Sequence, residues 1–123
     1  MLASVNIRPG LGMLSAMLEG LVLVNVILLR QEAFGIPPLY RSGVRYQREP
    51  HTEVWLTCEQ VYAGKVGDCE DLCCYRVGEL RVAGEEAEVI VVQAARKLYH
   101  VLVLREDGSI EDPSRILGMG RKT

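Results

Sequence analysis

The chain has 123 residues, 49% hydrophobic and 24% charged, with a formal net charge of −2. That size and composition describe one compact globular domain and exclude a disordered segment. Basic residues are scattered among acids and form no stripe, so the long-range attraction that phosphate backbones require is missing and nucleic acid is not expected as a partner.

The first organised feature is an apolar run from Leu11 to Leu29, interrupted by Glu19 and Asn25 and closed by Arg30. A bilayer span needs roughly 20 mostly apolar residues. Only Arg8 supplies a positive flank ahead of the run, and no small-residue cleavage site follows it. Leu11, Leu14, Leu18, Leu21, Asn25 and Leu28 recur at three- and four-residue spacing. This predicts a strongly apolar helix packed into the core of a soluble domain, with no membrane partner. Gly35-Ile36-Pro37-Pro38 stops the helix, because proline lacks the donor and forces its predecessor toward extended geometry. Residues 39–50 then read as irregular or extended, with Arg41, Arg45 and Arg48 on a solvated edge and His51 in solvent.

Thr57 followed by Gln60 is a capping-box pair, which predicts a short helix over 57–63 ended by Gly64-Lys65-Val66-Gly67. A longer helix should begin at Cys69. Asp68 is a good N-cap, and Asp71 falls near the unpaired amides and the positive end of the dipole. Its end is expected near Ala83, with Gly84 as the stop. Residues 87–93 and 98–105 are rich in valine and leucine and read as strands joined through 94–97, and Glu106-Asp107-Gly108 marks a hairpin.

Cys69, His100 and Asp112 supply, in one order, the three side chains that cysteine nucleophile chemistry needs. A thiolate attacks, an imidazole takes and returns the proton, and a carboxylate holds the imidazole in its working tautomer. The hairpin register decides whether they can meet. With Asp107-Gly108 as a two-residue turn, Asp112 falls opposite Val103 and points away from His100. With a three-residue loop and Gly108 in the left-handed conformation, Asp112 faces Leu102, diagonally from His100 on the same face. The three-residue loop is expected.

On its own a free cysteine is usually a small buried hydrophobe, His100 a strand histidine, and Asp112 a turn residue before Pro113. Their shared order favours the catalytic reading. The helix N-terminus and an imidazolium favour a Cys69 thiolate, whereas Asp68, Glu70 and Asp71 oppose it unless they turn away toward backbone amides or solvent. The Cys69 amide is the natural first oxyanion donor, with Trp55 or Gln60 as the second; either of these two residues has an alternative use in the core or in capping.

Four cysteines stand at 58, 69, 73 and 74, three of them within six residues. This is a poor layout for a disulfide framework and predicts reduced thiols in an intracellular setting. A zinc site from Cys58, Cys69, Cys73 and His100 lacks any paired-cysteine spacing, and adjacent Cys73 and Cys74 diverge by about 100° on a helix. No metal or cofactor is expected.

Gly67-Asp68-Cys69-Glu70-Asp71-Leu72, then Tyr99-His100, then Asp112-Pro113-Ser114 together resemble the transglutaminase-like cysteine peptidases of the papain-like superfamily. The likeness spans roughly residues 53 to 119, with Trp55 and Glu59 similar to a tryptophan and glutamate that precede the cysteine in bacterial members. Leu39 to Tyr46 and Leu117-Gly118-Met119 resemble segments of short phage and prophage-type members. Cys73 and Cys74 depart from the pattern, standing where small residues such as alanine are usual. The resemblance implies an α+β fold, with the cysteine helix packed on a small antiparallel sheet that carries the histidine and aspartate. It implies acyl transfer on amide bonds of a protein or peptide, with peptidase or amidase activity foremost. It equally implies a second possibility, a non-enzymatic virion or tail-assembly component binding phage structural proteins. Localisation is expected to be cytoplasmic, or virion-associated for a phage product. The single domain, 1–123, is read as an apolar N-terminal helix (1–34), an extended segment (35–56) and a catalytic-type core (57–119).

Overall fold

The computed structural model describes residues 9–48, 54–95 and 98–120. In chain order they form α1 (Pro9–Leu29), β1 (Arg45–Tyr46), α2 (Cys58–Gly64), β2 (Val66–Gly67), α3 (Cys69–Val82), β3 (Glu88–Ala95), β4 (Leu98–Leu104), β5 (Ile110–Glu111) and α4 (Pro113–Ile116), with 3-10 turns at Glu32–Phe34 and Leu39–Arg41. The architecture is mixed α+β: α1 and α3 cover one face of the antiparallel sheet β3-β4-β5, and β1 pairs in parallel with β2. His51 lies outside the described residues.

The two long helices approach each other through a glycine. A Cβ at Gly78 would stand 3.0 Å from the Asn25 Cβ and 3.3 Å from Leu29 Cδ1. That spacing lets Leu18, Val22 and Asn25 of α1 sink out of solvent against Cys73, Cys74, Val77 and Leu80 of α3, with Val101 and Val103 of β4 beneath. The inward stripe is the one that the sequence periodicity marks. Asn25 is a polar member of it because its Oδ1 accepts the Cys58 amide at 2.8 Å, which seats the first turn of α2 on α1.

The opposite face of α1, outside the stripe expected to pack into the core, is left in solvent. Met13, Met17, Leu23, Val24 and Ile27 are exposed, and Gly20 between them touches nothing. The window Gly12–Leu29 is long and apolar enough to cross a membrane, and 22% of it is buried against the protein. Because the second half of the helix is as apolar as the packed stripe, its exposure is not legible from sequence.

The segment after α1 is pinned by α3. Tyr75 donates its hydroxyl to the Pro37 carbonyl at 2.6 Å, and Glu79 accepts the Leu39 amide at 2.9 Å. Residues 39–50, expected to be irregular or extended, include β1, whose register pairs Arg45 with Val66 and Tyr46 with Gly67. Arg41, Arg45 and Arg48 are exposed, as expected of a solvated edge. In α2 the Thr57–Gln60 capping box forms, and Lys65 takes the left-handed conformation at its end (φ 62). Lys65 thus does the chain-reversing work that glycine usually does.

The hairpin has the three-residue loop. Leu104 pairs with Ile110, the Arg105 amide donates to the Ser109 carbonyl at 2.8 Å, and Gly108 has φ +90. Strand alternation then assigns Val101 and Val103 to the face under α3, and His100 and Leu102 to the other. The strands are β3 Glu88–Ala95 and β4 Leu98–Leu104, within two residues of their sequence bounds.

Two glycine substitutions separate helix propensity from packing. Gly20→Ala should raise stability by about 0.5–1 kcal/mol, because it restrains an exposed helix interior without a clash. Gly78→Val should lower it by about 1–3 kcal/mol by wedging α1 from α3. Urea denaturation of both variants checks the pair, and a neutral Gly78→Val would contradict the close crossing.

Candidate functional site

Where β5 ends, β4 has an open edge. Odd-numbered residues of β4 turn their N–H and C=O toward β5, as the bond between Arg105 and Ser109 shows, so at Val101 those groups have no strand to meet. The first turn of α3 supplies the partners. The Val101 amide hydrogen-bonds to the Cys69 sulfur, and the Val101 carbonyl accepts the Cys73 thiol at 3.2 Å. Cys73 is thereby an edge cap, fully buried at the sheet margin. Cys74 donates to the Leu18 carbonyl of α1 at 3.6 Å, and Cys58 belongs to a separate core cluster with Leu39, Val61 and Tyr75. All four thiols are free.

His100 and Asp112 meet. The imidazole Nε2 lies 3.1 Å from both carboxylate oxygens of Asp112, and their side chains are 19% and 24% exposed. Nε2 held this way leaves Nδ1 as the nitrogen available for proton exchange. Asp112 is also the N-cap of α4, accepting the Arg115 amide at 3.3 Å. Its neighbour Glu111, pointing to the other face, ties β5 to α3: Arg76 Nε donates to it at 2.6 Å, Arg105 at 2.9 Å, and Tyr40 adds its hydroxyl. Burial opposes the Glu111 charge, but the Arg76, Tyr40 and Arg105 bonds prevail and hold its carboxyl below the ordinary value. Sequence reading missed Glu111. Its only signal was its place, one residue from Asp112 and opposite Val103.

Cys69 opens α3, as expected, with its amide among the helix's first unpaired donors. Asp68 and Asp71 form a reciprocal capping box. The Asp71 Oδ1 also accepts the Leu56 amide at 2.8 Å, which fixes the Trp55-Leu56 segment against the start of α3. Asp71 thus positions as well as caps, a role that spacing alone did not reveal. Trp55 packs on the same core cluster as Cys69, and its Nε1 is buried without a hydrogen-bond partner among the described residues. Gln60, the other oxyanion candidate, is exposed, and its side-chain oxygen accepts the Thr57 amide at 3.0 Å. It is a capping residue.

One expectation about the acidic trio fails. Asp68 and Asp71 do turn to backbone amides, but Glu70 turns inward and is 7% exposed. Its Oε2 accepts the Tyr99 hydroxyl at 2.6 Å, and its Oε1 accepts the Cys69 thiol at 3.7 Å. The Cys69 thiol is correspondingly pushed up to about 12, first by burial and then by the Glu70 charge, with the Val101 amide pulling the other way. A thiolate favoured by the helix N-terminus is therefore not what this arrangement holds. Asp68 is pushed up to about 9 by burial and by its hydrogen bond with Glu70, so at neutral pH it carries the proton of that bond.

His100 is thus brought to Asp112 and Cys69 to Glu70, and among the described residues no hydrogen bond joins Cys69 to His100 or Asp112. No family model, curated protein or solved structure matches the chain. Among the described residues no cluster of histidine, cysteine and carboxylate side chains has the arrangement to hold a metal ion.

The raised Asp68 pKa has a definite sign in stability. The native carboxyl keeps a proton that the unfolded chain, near 3.8, has already lost. The stability it contributes is therefore full at acid pH and is lost as pH rises toward the folded value. Asn at this position accepts the cap hydrogen bond and donates to Glu70 without titrating. Between about pH 5 and 8, wild type should lose stability relative to Asp68→Asn. Urea midpoints of the two proteins measured across that range decide it; a constant difference would show that Asp68 is ionised in the native state.

Proposed function

We propose that the protein is a cysteine-dependent acyl-transfer enzyme acting on amide bonds, a peptidase or amidase with a transglutaminase-like form of the papain-like fold. The observation that carries this reading is the 3.1 Å contact between His100 Nε2 and Asp112, one residue along β4 from the amide that touches the Cys69 sulfur. In the reaction His100 Nδ1 takes the Cys69 proton, and the thiolate adds to the substrate carbonyl to form a tetrahedral oxyanion. His100 returns the proton to the leaving amine as the carbonyl re-forms, and Asp112 stabilises the imidazolium between the two steps. The resulting thioester passes its acyl group to water in hydrolysis, or to an amine in transamidation. The Cys69 amide and the unpartnered Trp55 Nε1–H are the donors for the oxyanion, which favours Trp55 over Gln60. The substrate in this reading is a protein or peptide.

A specific observation favours the second reading, a binding component such as a virion or tail-assembly protein with this fold. The exposed face of α1 bears Met13, Met17, Leu23, Val24 and Ile27, and apolar patches of this kind mark interaction surfaces. A groove at the hairpin end, lined by Glu19, Arg81, Glu85, Glu88 and Arg105, includes none of Cys69, His100 and Asp112.

The two readings separate on p-nitrophenyl acetate, whose acetyl group any activated thiolate accepts with release of nitrophenolate. An enzyme should show a nitrophenolate burst with the acetyl group on Cys69 by peptide mass spectrometry, followed by turnover. His100→Ala should slow acylation by about 10²-fold or more, the scale of general-base catalysis, and Asp112→Asn by less. Acetylation spread evenly over the cysteines, or indifferent to His100, would defeat the enzyme reading and leave the binding one.

A further inference from the structure

The Cys69 thiol has one proton, and in this structure it donates a hydrogen bond through it to Glu70 Oε1 at 3.7 Å. Glu70 is held in place to receive it. It is buried, its second oxygen is occupied by the Tyr99 hydroxyl at 2.6 Å, and Asp68 is hydrogen-bonded to it from the N-cap. A carboxylate that accepts an S–H bond stabilises the neutral thiol and repels the thiolate. The adjacent pair Cys69-Glu70 therefore works against the acid–base pair that the same helix turn presents to β4.

We propose that Glu70 is a restraint on the nucleophile, holding Cys69 as a neutral thiol, with Tyr99 as the anchor that keeps Glu70 in its restraining position. The inference rests on the reading of Cys69 as the nucleophile. Glu70 is a positioning residue, acting through Cys69. When Glu70 is displaced, the S–H bond to its Oε1 breaks and the thiol turns to His100. The proton passes from sulfur to Nδ1, leaving a thiolate and an imidazolium whose Nε2–H is held by Asp112. The thiolate keeps the Val101 amide as a donor throughout.

The titratable groups around Cys69 are Asp68, Glu70 and Asp71 on α3, Tyr46 on β1, Tyr99 and His100 on β4, and Asp112 beyond β5. Tyr46 lies close enough to feel Cys69, Asp68 and Glu70, and its hydroxyl is pushed up by burial and then by those charges. Among the described residues the cations near this set are Arg48, which acts on Tyr46, and Arg115, 3.8 Å from Asp112, and neither is paired with Glu70. This is why removing one carboxylate charge should register at the sulfur.

The test is the rate of carboxamidomethylation of each cysteine by iodoacetamide against pH, read by peptide mass spectrometry on the full chain. Glu70→Gln keeps the shape and the acceptor for Tyr99 but removes the charge. It should shift the Cys69 pH–rate profile down by about one unit or more, which is roughly a tenfold faster reaction at pH 7. Tyr99→Phe, which frees Glu70 to move, should shift the profile in the same direction by less. Cys58 should keep its wild-type rate in both variants, a readout that separates a local effect from loss of folding. An unchanged or upward profile in Glu70→Gln with Cys58 unchanged overturns the restraint. If Glu70→Gln exposes Cys58, Tyr99→Phe decides by the same criterion. The double variant Glu70→Gln/His100→Ala isolates the underlying reading. If the gain disappears, His100 is the base that the restraint withholds. If the gain persists in full, the restraint stands and the Cys69–His100 pairing falls.

Discussion

The peptide group of Val101 is where this architecture is decided. A β-strand edge presents donors and acceptors that must be satisfied, and an unsatisfied buried one costs about 1–3 kcal/mol. Here β5 is only two residues long, so β4 loses its neighbour just before His100. The side chains that close the gap are Cys69 and Cys73, one turn apart on α3. Because i and i+4 share a helix face, the two thiols reach the N–H and the C=O of one residue. The start of α3 is thus docked to β4 at one residue, and His100 is next to it. The same shortness of β5 lets the chain turn away at Asp112, whose carboxylate swings onto the His100 ring while Glu111 locks the strand to α3 through Arg76.

Around Cys69 two electrostatic arrangements compete. One is the arrangement proposed for a cysteine nucleophile, with a helix N-terminus, a backbone donor to sulfur, and, at the next residue of β4, an imidazole oriented by a carboxylate. The other is a set of three acids in the first turn. The helix needs two of them, since Asp68 and Asp71 satisfy amides that would otherwise be orphaned, and Asp71 also carries Leu56. Glu70 serves no cap. It faces inward, bound to Tyr99, and accepts the hydrogen bond of the Cys69 thiol. Burial adds to its effect, because desolvation penalises the thiolate whatever its neighbours. The thiol observed here is a hydrogen-bond donor to Glu70, and on the proposal above its reactivity depends on that bond.

The helix that roofs this core has two apolar faces and uses one. Leu18, Val22 and Asn25 make the α1–α3 seam through Gly78, while Met13, Met17, Leu23, Val24 and Ile27 stay in solvent. The exposed stripe is uncharged, and Glu19 beside it is paired with Arg81 at 2.6 Å. Apolar surfaces of this kind mark binding sites, and the chemistry proposed for Cys69 would lie elsewhere on the molecule.

Much of the local structure could be read from the chain because it rests on local physics. Thr57 with Gln60 and Asp68 with Asp71 announce helix starts through hydrogen bonds three residues long, and Gly84 and Gly108 mark reversals that need positive φ. The hairpin loop length, and with it the face shared by His100 and Asp112, followed from the period-two geometry of strands. What spacing could not reach were outcomes set by groups distant in sequence. Glu70 reads as one more solvated acid until Tyr99, twenty-nine residues on, gives it a partner inside. Cys73 reads as an unexplained thiol until β5 stops short of Val101. The buried stripe of α1 was legible in its three- and four-residue periodicity, but the other half is equally apolar, and only the packing against α3 shows that it stays in solvent. Sequence determined the caps, turns and strand faces, where a few neighbouring residues carry the whole free-energy difference. Tertiary structure alone decided the partner of the Cys69 thiol and the exposure of the second apolar face of α1, because both depend on which distant groups displace water.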